Sequence, residues 1–222
     1  MARRVRSGRV LTHTLPSAVG RVAPSATNYR RRTTLSSSEI QVEQSAPPVT
    51  GWPGRYFEDF EIGDVYRHPL GRTVLPVDNS WMTLLTQNTA PIHFDAHYSS
   101  QTTWGKPLVD STFTLALVTG QSVSDISQHV HANLGWDRVR LPNPVFEGDT
   151  IYSQSEVLTK RESVSHSGIG IVTVRTIGYN QDGTIVITFE RTLMVYRKGH
   201  GPHTAGVDPK WDDRSRRAAG IE

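Results

Sequence analysis

No cysteine occurs anywhere in the 222 residues. Disulfides, thiol nucleophiles and cysteine-ligated metals are therefore excluded, a composition that fits a reducing compartment. Nor is there an apolar run of about 18 residues, the length a membrane-spanning helix needs. The hydrophobic share is only 36% and the mean hydropathy −0.41, so part of the chain is expected to contribute no core. Acid is missing from the first 38 residues: residues 1–50 hold eight arginines against Glu39 and Glu43, a net of +6. Residues 200–222 are balanced, and the whole chain is +3, which leaves −3 for residues 51–199. The pI of about 9.3 thus belongs to the N-terminal arm, and binding of nucleic acid by the remainder has no electrostatic support.

What is present divides into three stretches. Residues 1–50 are rich in Arg, Ser and Thr without sustained periodicity. Such a segment buries too little apolar surface to offset its ordering entropy, so a disordered arm is expected. It matches either an organelle transit peptide, which implies a mitochondrial location, or a non-functional extension of a cytoplasmic protein. Residues 51–199 read as the folded domain, and residues 200–222, polar and punctuated by Gly and Pro, as a flexible tail.

Inside the domain, residues 74–77 read as extended, and Asp78 is placed to cap a helix over 78–87 whose Trp81, Leu84 and Leu85 form an apolar stripe. Asp95 caps a second helix over 96–103. A third helix, 111–127, is built of small and apolar residues and is expected to be buried. Strands follow at 133–141, 150–161, 169–179 and 184–196, the last two joined by Asn180-Gln181-Asp182-Gly183, a short hairpin loop. Long antiparallel strands after a buried helix indicate an α+β domain with its sheet curled over that helix. Apolar residues on both strand faces, Ile171 and Ile177 against Val172 and Val174, predict burial by a second copy, as a homodimer or larger even assembly.

The chemistry concentrates in residues 84–120. Pro91 disfavours the α conformation at Ala90, so His93 sits on a constrained bend, where a loop side chain can be aimed into a cleft. His93 and His97 have the i, i+4 spacing of zinc-binding pairs but lack the flanking Glu of such motifs, and no metal is expected. His129-x-His131 is a weaker candidate still, and Gly168-Ile169-Gly170 belongs to a strand.

The segment Asn88-Thr89-Ala90-Pro91-Ile92-His93-Phe94-Asp95 resembles the Asp-x-Asn-Pro-(Leu/Ile/Val)-His-x-Asp motif of the MaoC-like (R)-specific enoyl-CoA hydratases. The likeness continues through Gly105-Lys106-Pro107-Leu108-Val109 and Pro144-Val145-Phe146-Glu147-Gly148-Asp149-Thr150, and covers roughly residues 54–198. It implies a hot-dog fold, a curled antiparallel sheet wrapped around the 111–127 helix. It also implies a hydro-lyase acting on a short enoyl-CoA thioester, with no cofactor beyond the coenzyme A of the substrate. Three positions depart from the pattern. Asn88 stands where the family has its catalytic Asp, Ala90 replaces Asn, and Asp110-Ser111 replaces His-Gly. This variant is similar to a subgroup associated with itaconyl- or mesaconyl-CoA.

Hydrating an unsaturated thioester needs a base for water, a proton for the α-carbon and stabilisation of the enolate oxygen. The resemblance assigns His93 acid–base work and Asn88 orientation of water. Ser111, with its backbone N–H at a helix start, and Asp110 are expected to bind substrate, Asp110 also as a candidate second acid–base group. A non-catalytic acyl-thioester binding module and a thioesterase are the rival readings. On sequence alone, Asn88→Asp should restore the parent pair and keep or raise activity.

Overall fold

The computed structural model describes residues 54–202 and 211–220. The expected disorder of residues 1–50 lies outside the described residues. The chain divides after Pro48, and the described residues all belong to the second unit.

A single 3₁₀ turn, Phe57–Asp59, leads to the short strands β1 (Val65–Arg67) and β2 (Arg72–Thr73), then helix α1 (Pro76–Thr86) and a 3₁₀ turn, Pro91–His93. Helices α2 (Ala96–Ser100) and α3 (Ser111–Gln121) come next, with a π turn over Val123–Ser127. Four long strands complete the sheet: β3 (Val130–Arg140), β4 (Thr150–Glu162), β5 (Ile169–Tyr179) and β6 (Ile185–Tyr196). A short exposed helix, α4 (Asp213–Ala218), lies in the tail expected to be flexible. No helix among the described residues is long and apolar enough to cross a membrane.

The strands run in the order β1-β4-β5-β6-β3, all antiparallel, with β2 added beside β1 on β4. The β5–β6 hairpin forms where its loop chemistry predicts. The Asn180 side chain accepts from Asp182 N and Thr184 N, and Gly183 takes the positive φ of 78° that closes the turn. Along β5, Val172, Val174 and Thr176 face inward and are fully buried, while their neighbours are partly or fully exposed.

Helix α3 crosses the inner face of β4 and β5. It comes close because Gly178 on β5 has no side chain: a Cβ there would lie 2.7 Å from both Val118 and Ile187. Val118 of α3 packs with Val74, Val109, Val145, Ile151, Val186, Ile187 and Phe189 at one end of the sheet. Phe57, Phe60, Ile126, Val157, Val172, Val174, Leu193 and Val195 fill the other end. This is the hot-dog arrangement, with α3 as the central helix.

Helix α1 departs from expectation in two ways. It begins at Pro76, whose ring fixes a helical φ at the first position, so residues 76–77 are not extended. Asp78 is then the third helical residue, and its carboxylate reaches back to accept from Leu75 N at 2.9 Å. The stripe of Trp81, Leu84 and Leu85 faces out, exposed at 66%, 77% and 78%, while Asn79 and Thr83 are buried. The hydrogen bonds of Asn79 decide this orientation.

Candidate active site

His93 ends the Pro91–His93 turn, and Ala90 has the extended backbone (ψ 113°) that a following proline imposes. Its Nδ1 lies 2.8 Å from Leu108 O. A carbonyl oxygen only accepts, so Nδ1 carries a proton, and in the neutral ring the lone pair is on Nε2.

Asn88 follows Gln87, which closes α1 in the left-handed conformation (φ 57°). Its Oδ1 accepts from Ala90 N at 3.0 Å and its Nδ2 donates to Asp110 Oδ2 at 2.6 Å. Both ends of the amide are thereby oriented. One N–H and one Oδ1 lone pair remain for a water molecule.

Asp110 is 2% exposed. It caps α3, with Oδ1 accepting from Thr112 N (2.7 Å), Thr112 Oγ1 (2.5 Å) and Phe113 N (3.4 Å), while Oδ2 takes the Asn88 amide. Burial pushes its pKa up, but the hydrogen bonds from Thr112 and Asn88 and from the helix N–H groups outweigh this and hold the carboxyl below its ordinary value. Such a carboxylate favours its ionised form, with three donors on Oδ1 and one on Oδ2. In this geometry Asp110 closes the start of α3 and orients Asn88.

Ser111 is the first residue of α3, exposed, and lines an opening of about 210 Å³ with Trp104, Leu108, Leu141 and Pro144. Asn88 lines a separate opening of about 410 Å³ with Leu84 and Phe94. The chain therefore brings His93, Asn88, Asp110 and Ser111 together through Leu108 and the Asn88–Asp110 bond, yet leaves the two openings apart. Asp95 caps α2 by accepting from Tyr98 N at 2.9 Å. Among the described residues no group of three or more His, Asp or Glu side chains is placed to hold a metal ion.

Two features were not singled out in the sequence. Asn79, fully buried on α1, bonds to the backbone of His93, Leu108 and Asp110. Nothing short of the tertiary contacts distinguishes it from any helix asparagine. The second is a chain from Asp125 Oδ2 to His68 Nδ1 and from His68 Nε2 to Ser155 Oγ, each 2.9 Å, with Ser155 also on Thr176. Burial lowers the pKa of His68, and Asp125 only partly offsets it. The carboxylate–imidazole–hydroxyl order resembles a nucleophile relay, but Ser155 is fully buried within the sheet and reaches no substrate. Its hydrogen bonds satisfy polar groups inside the fold.

The sequence profile of the mesaconyl-CoA hydratase family matches residues 48–219. Mesaconyl-CoA hydratase of Cereibacter sphaeroides is 33% identical over 145 residues, 65% of this chain and 42% of that protein. The β-methylmalyl-CoA dehydratase of Chloroflexus aurantiacus is 30% identical over 146 residues, 66% of this chain and 41% of that one. The chain thus spans less than half the length of these curated relatives. Among solved structures, a putative MaoC-domain dehydratase from Chloroflexus aurantiacus superposes with a TM-score of 0.65 at 28% identity, over 75% of this chain and 47% of that one. A conserved hypothetical protein from Mycobacterium tuberculosis, described as a double hot-dog fold, gives 0.61 at 25% identity, over 73% and 49%. With a profile match over residues 48–219 and the curled sheet and central helix in place, the chain belongs to the mesaconyl-CoA hydratase family.

Proposed function

We propose that this chain catalyses the reversible hydration of a short, branched or carboxylated enoyl-CoA thioester. The observation that carries the reading is the bond from His93 Nδ1 to Leu108 O, which leaves Nε2 of the neutral ring to act as the base. In the hydration direction, Nε2 takes a proton from water as the water oxygen bonds to the β-carbon. The electron pair of the double bond moves toward the thioester oxygen, where the N–H groups at the start of α3 and the helix dipole offset the developing charge. The imidazolium then returns the proton to the α-carbon, so one molecule of water is added in all. Asn88 holds the attacking water through its spare N–H and lone pair. Relatives named as a hydratase and as a dehydratase support a reaction run in either direction.

The active unit is a homodimer or a larger even assembly. Three observations support this: two separate openings, one lined by Ser111 and the other by Asn88, the outward stripe of α1, and a chain that aligns with about half of a double hot-dog protein. A second reading, a non-catalytic acyl-thioester binding module, draws on Asn88, which cannot titrate where the wider family has a carboxylate.

One spectrophotometric panel of crotonyl-, mesaconyl- and itaconyl-CoA separates these readings. Turnover with at least one ester, lost by about 10³-fold in His93→Ala with unchanged folding, is the expected outcome. Binding without turnover moves the module to first place, and full activity in His93→Ala overturns the mechanism.

A further inference from the structure

Asn79 touches the supports of every group in the proposed mechanism without facing substrate itself. Its side chain is fully buried on α1. Nδ2 donates to His93 O at 2.6 Å and to Leu108 O at 3.1 Å, while Oδ1 accepts from Asp110 N at 2.9 Å. The first acceptor is the carbonyl of the candidate base. The second is the same oxygen that receives the His93 Nδ1 proton, and with Asn79 both of its lone pairs are used. The third partner is the amide of the α3 cap residue, one position before Ser111.

We propose that Asn79 is the positioning residue of this site. A single buried carboxamide sets where the His93 ring stands relative to the start of α3, and it holds Leu108 O so that the imidazole proton stays on Nδ1. A carboxamide suits the task because it places donors and an acceptor in one rigid plane. Aspartate would present a second acceptor to two carbonyls, and an apolar side chain would strip His93 O and Asp110 N of this partner and leave Leu108 O with His93 alone. The orientation of α1 follows from the same demand: Asn79 turns inward and its apolar neighbours turn out.

The role rests on the hydratase reading, so the test has one arm that depends on turnover and one that does not. In Asn79→Asp, kcat is expected to fall about 10–100-fold with KM changed less than about threefold, the signature of a displaced catalytic group. Nitrogen-15 NMR of the His93 ring should show the Nδ1–H tautomer in the wild type and a mixture in the variant. Should Asn79→Asp not fold, Asn79→Ser, which can donate to only one carbonyl, takes its place with the same expectations. Val157→Ala, in the core at the far end of the sheet, serves as a control of comparable melting-temperature loss and should keep both kcat and tautomer. A folded Asn79 variant with wild-type kcat and an unchanged tautomer overturns the proposal and leaves Asn79 a structural residue. If the wild type turns over none of the three esters, the functional reading fails, and the tautomer alone decides whether Asn79 positions His93.

Discussion

The contact between Asn88 and Asp110 reverses the expectation that a carboxylate at position 88 would help. The Asn88 amide is 2.6 Å from the Asp110 carboxylate, and that carboxylate is ionised and buried. Asn88→Asp would set two carboxylates at that distance, where both cannot ionise. The single variant is therefore expected to lose about tenfold or more in activity and to melt lower than the wild type. The exchanged pair Asn88→Asp/Asp110→Asn, which restores one carboxylate facing one amide, should recover most of the melting temperature. A single variant as stable and active as the wild type would refute this account of the pair. Asn88→Ala removes water orientation together with the bonds to Asp110 and Ala90, and should cost about 10–100-fold in kcat along with a lower melting temperature.

At the scale of the elements, the start of α3 depends on Asp110 and its approach to the sheet on Gly178. Because the folded-state pKa of Asp110 lies below its ordinary value of 3.8, its contribution to stability is complete above that value. It is lost as the pH falls through the folded pKa. Melting curves of wild type and Asp110→Asn should therefore be well separated at pH 6 and converge below about pH 4; a gap that persists in acid would contradict the assignment. Gly178→Ala puts a methyl group 2.7 Å from Val118 and Ile187. Displacing α3 is expected to cost about 1–3 kcal/mol of stability, measured by denaturant titration.

For the whole molecule, the outward face of α1 sets the expectation. Trp81, Leu84 and Leu85 are exposed beside the opening that Asn88 lines, and an apolar face of this kind is costly to leave in water. Light scattering at micromolar concentration should show a dimer or larger even assembly. Trp81→Glu/Leu84→Glu should shift it toward monomer and reduce turnover, since each copy would lose what closes its site. A monodisperse wild-type monomer would rule the assembly out.

Local chemistry was enough for the sequence alone to determine much of this molecule. Runs rich in Val, Ile and Thr, bounded by turn residues, placed the four long strands within a few residues, because strand composition and an Asn-to-Gly loop are encoded in adjacent positions. The geometry of Pro91 put His93 on a bend, and Asp95 marked the start of α2. What only the tertiary structure decided was which partners those groups take. The apolar period of α1 is plain in the sequence, yet its direction followed from the hydrogen bonds of Asn79 to His93, Leu108 and Asp110, residues 14, 29 and 31 positions away. The bond from Asn88 to Asp110 likewise joins residues 22 positions apart. The cost of leaving a buried polar group unpaired depends on neighbours brought in by the fold, and no local pattern records them.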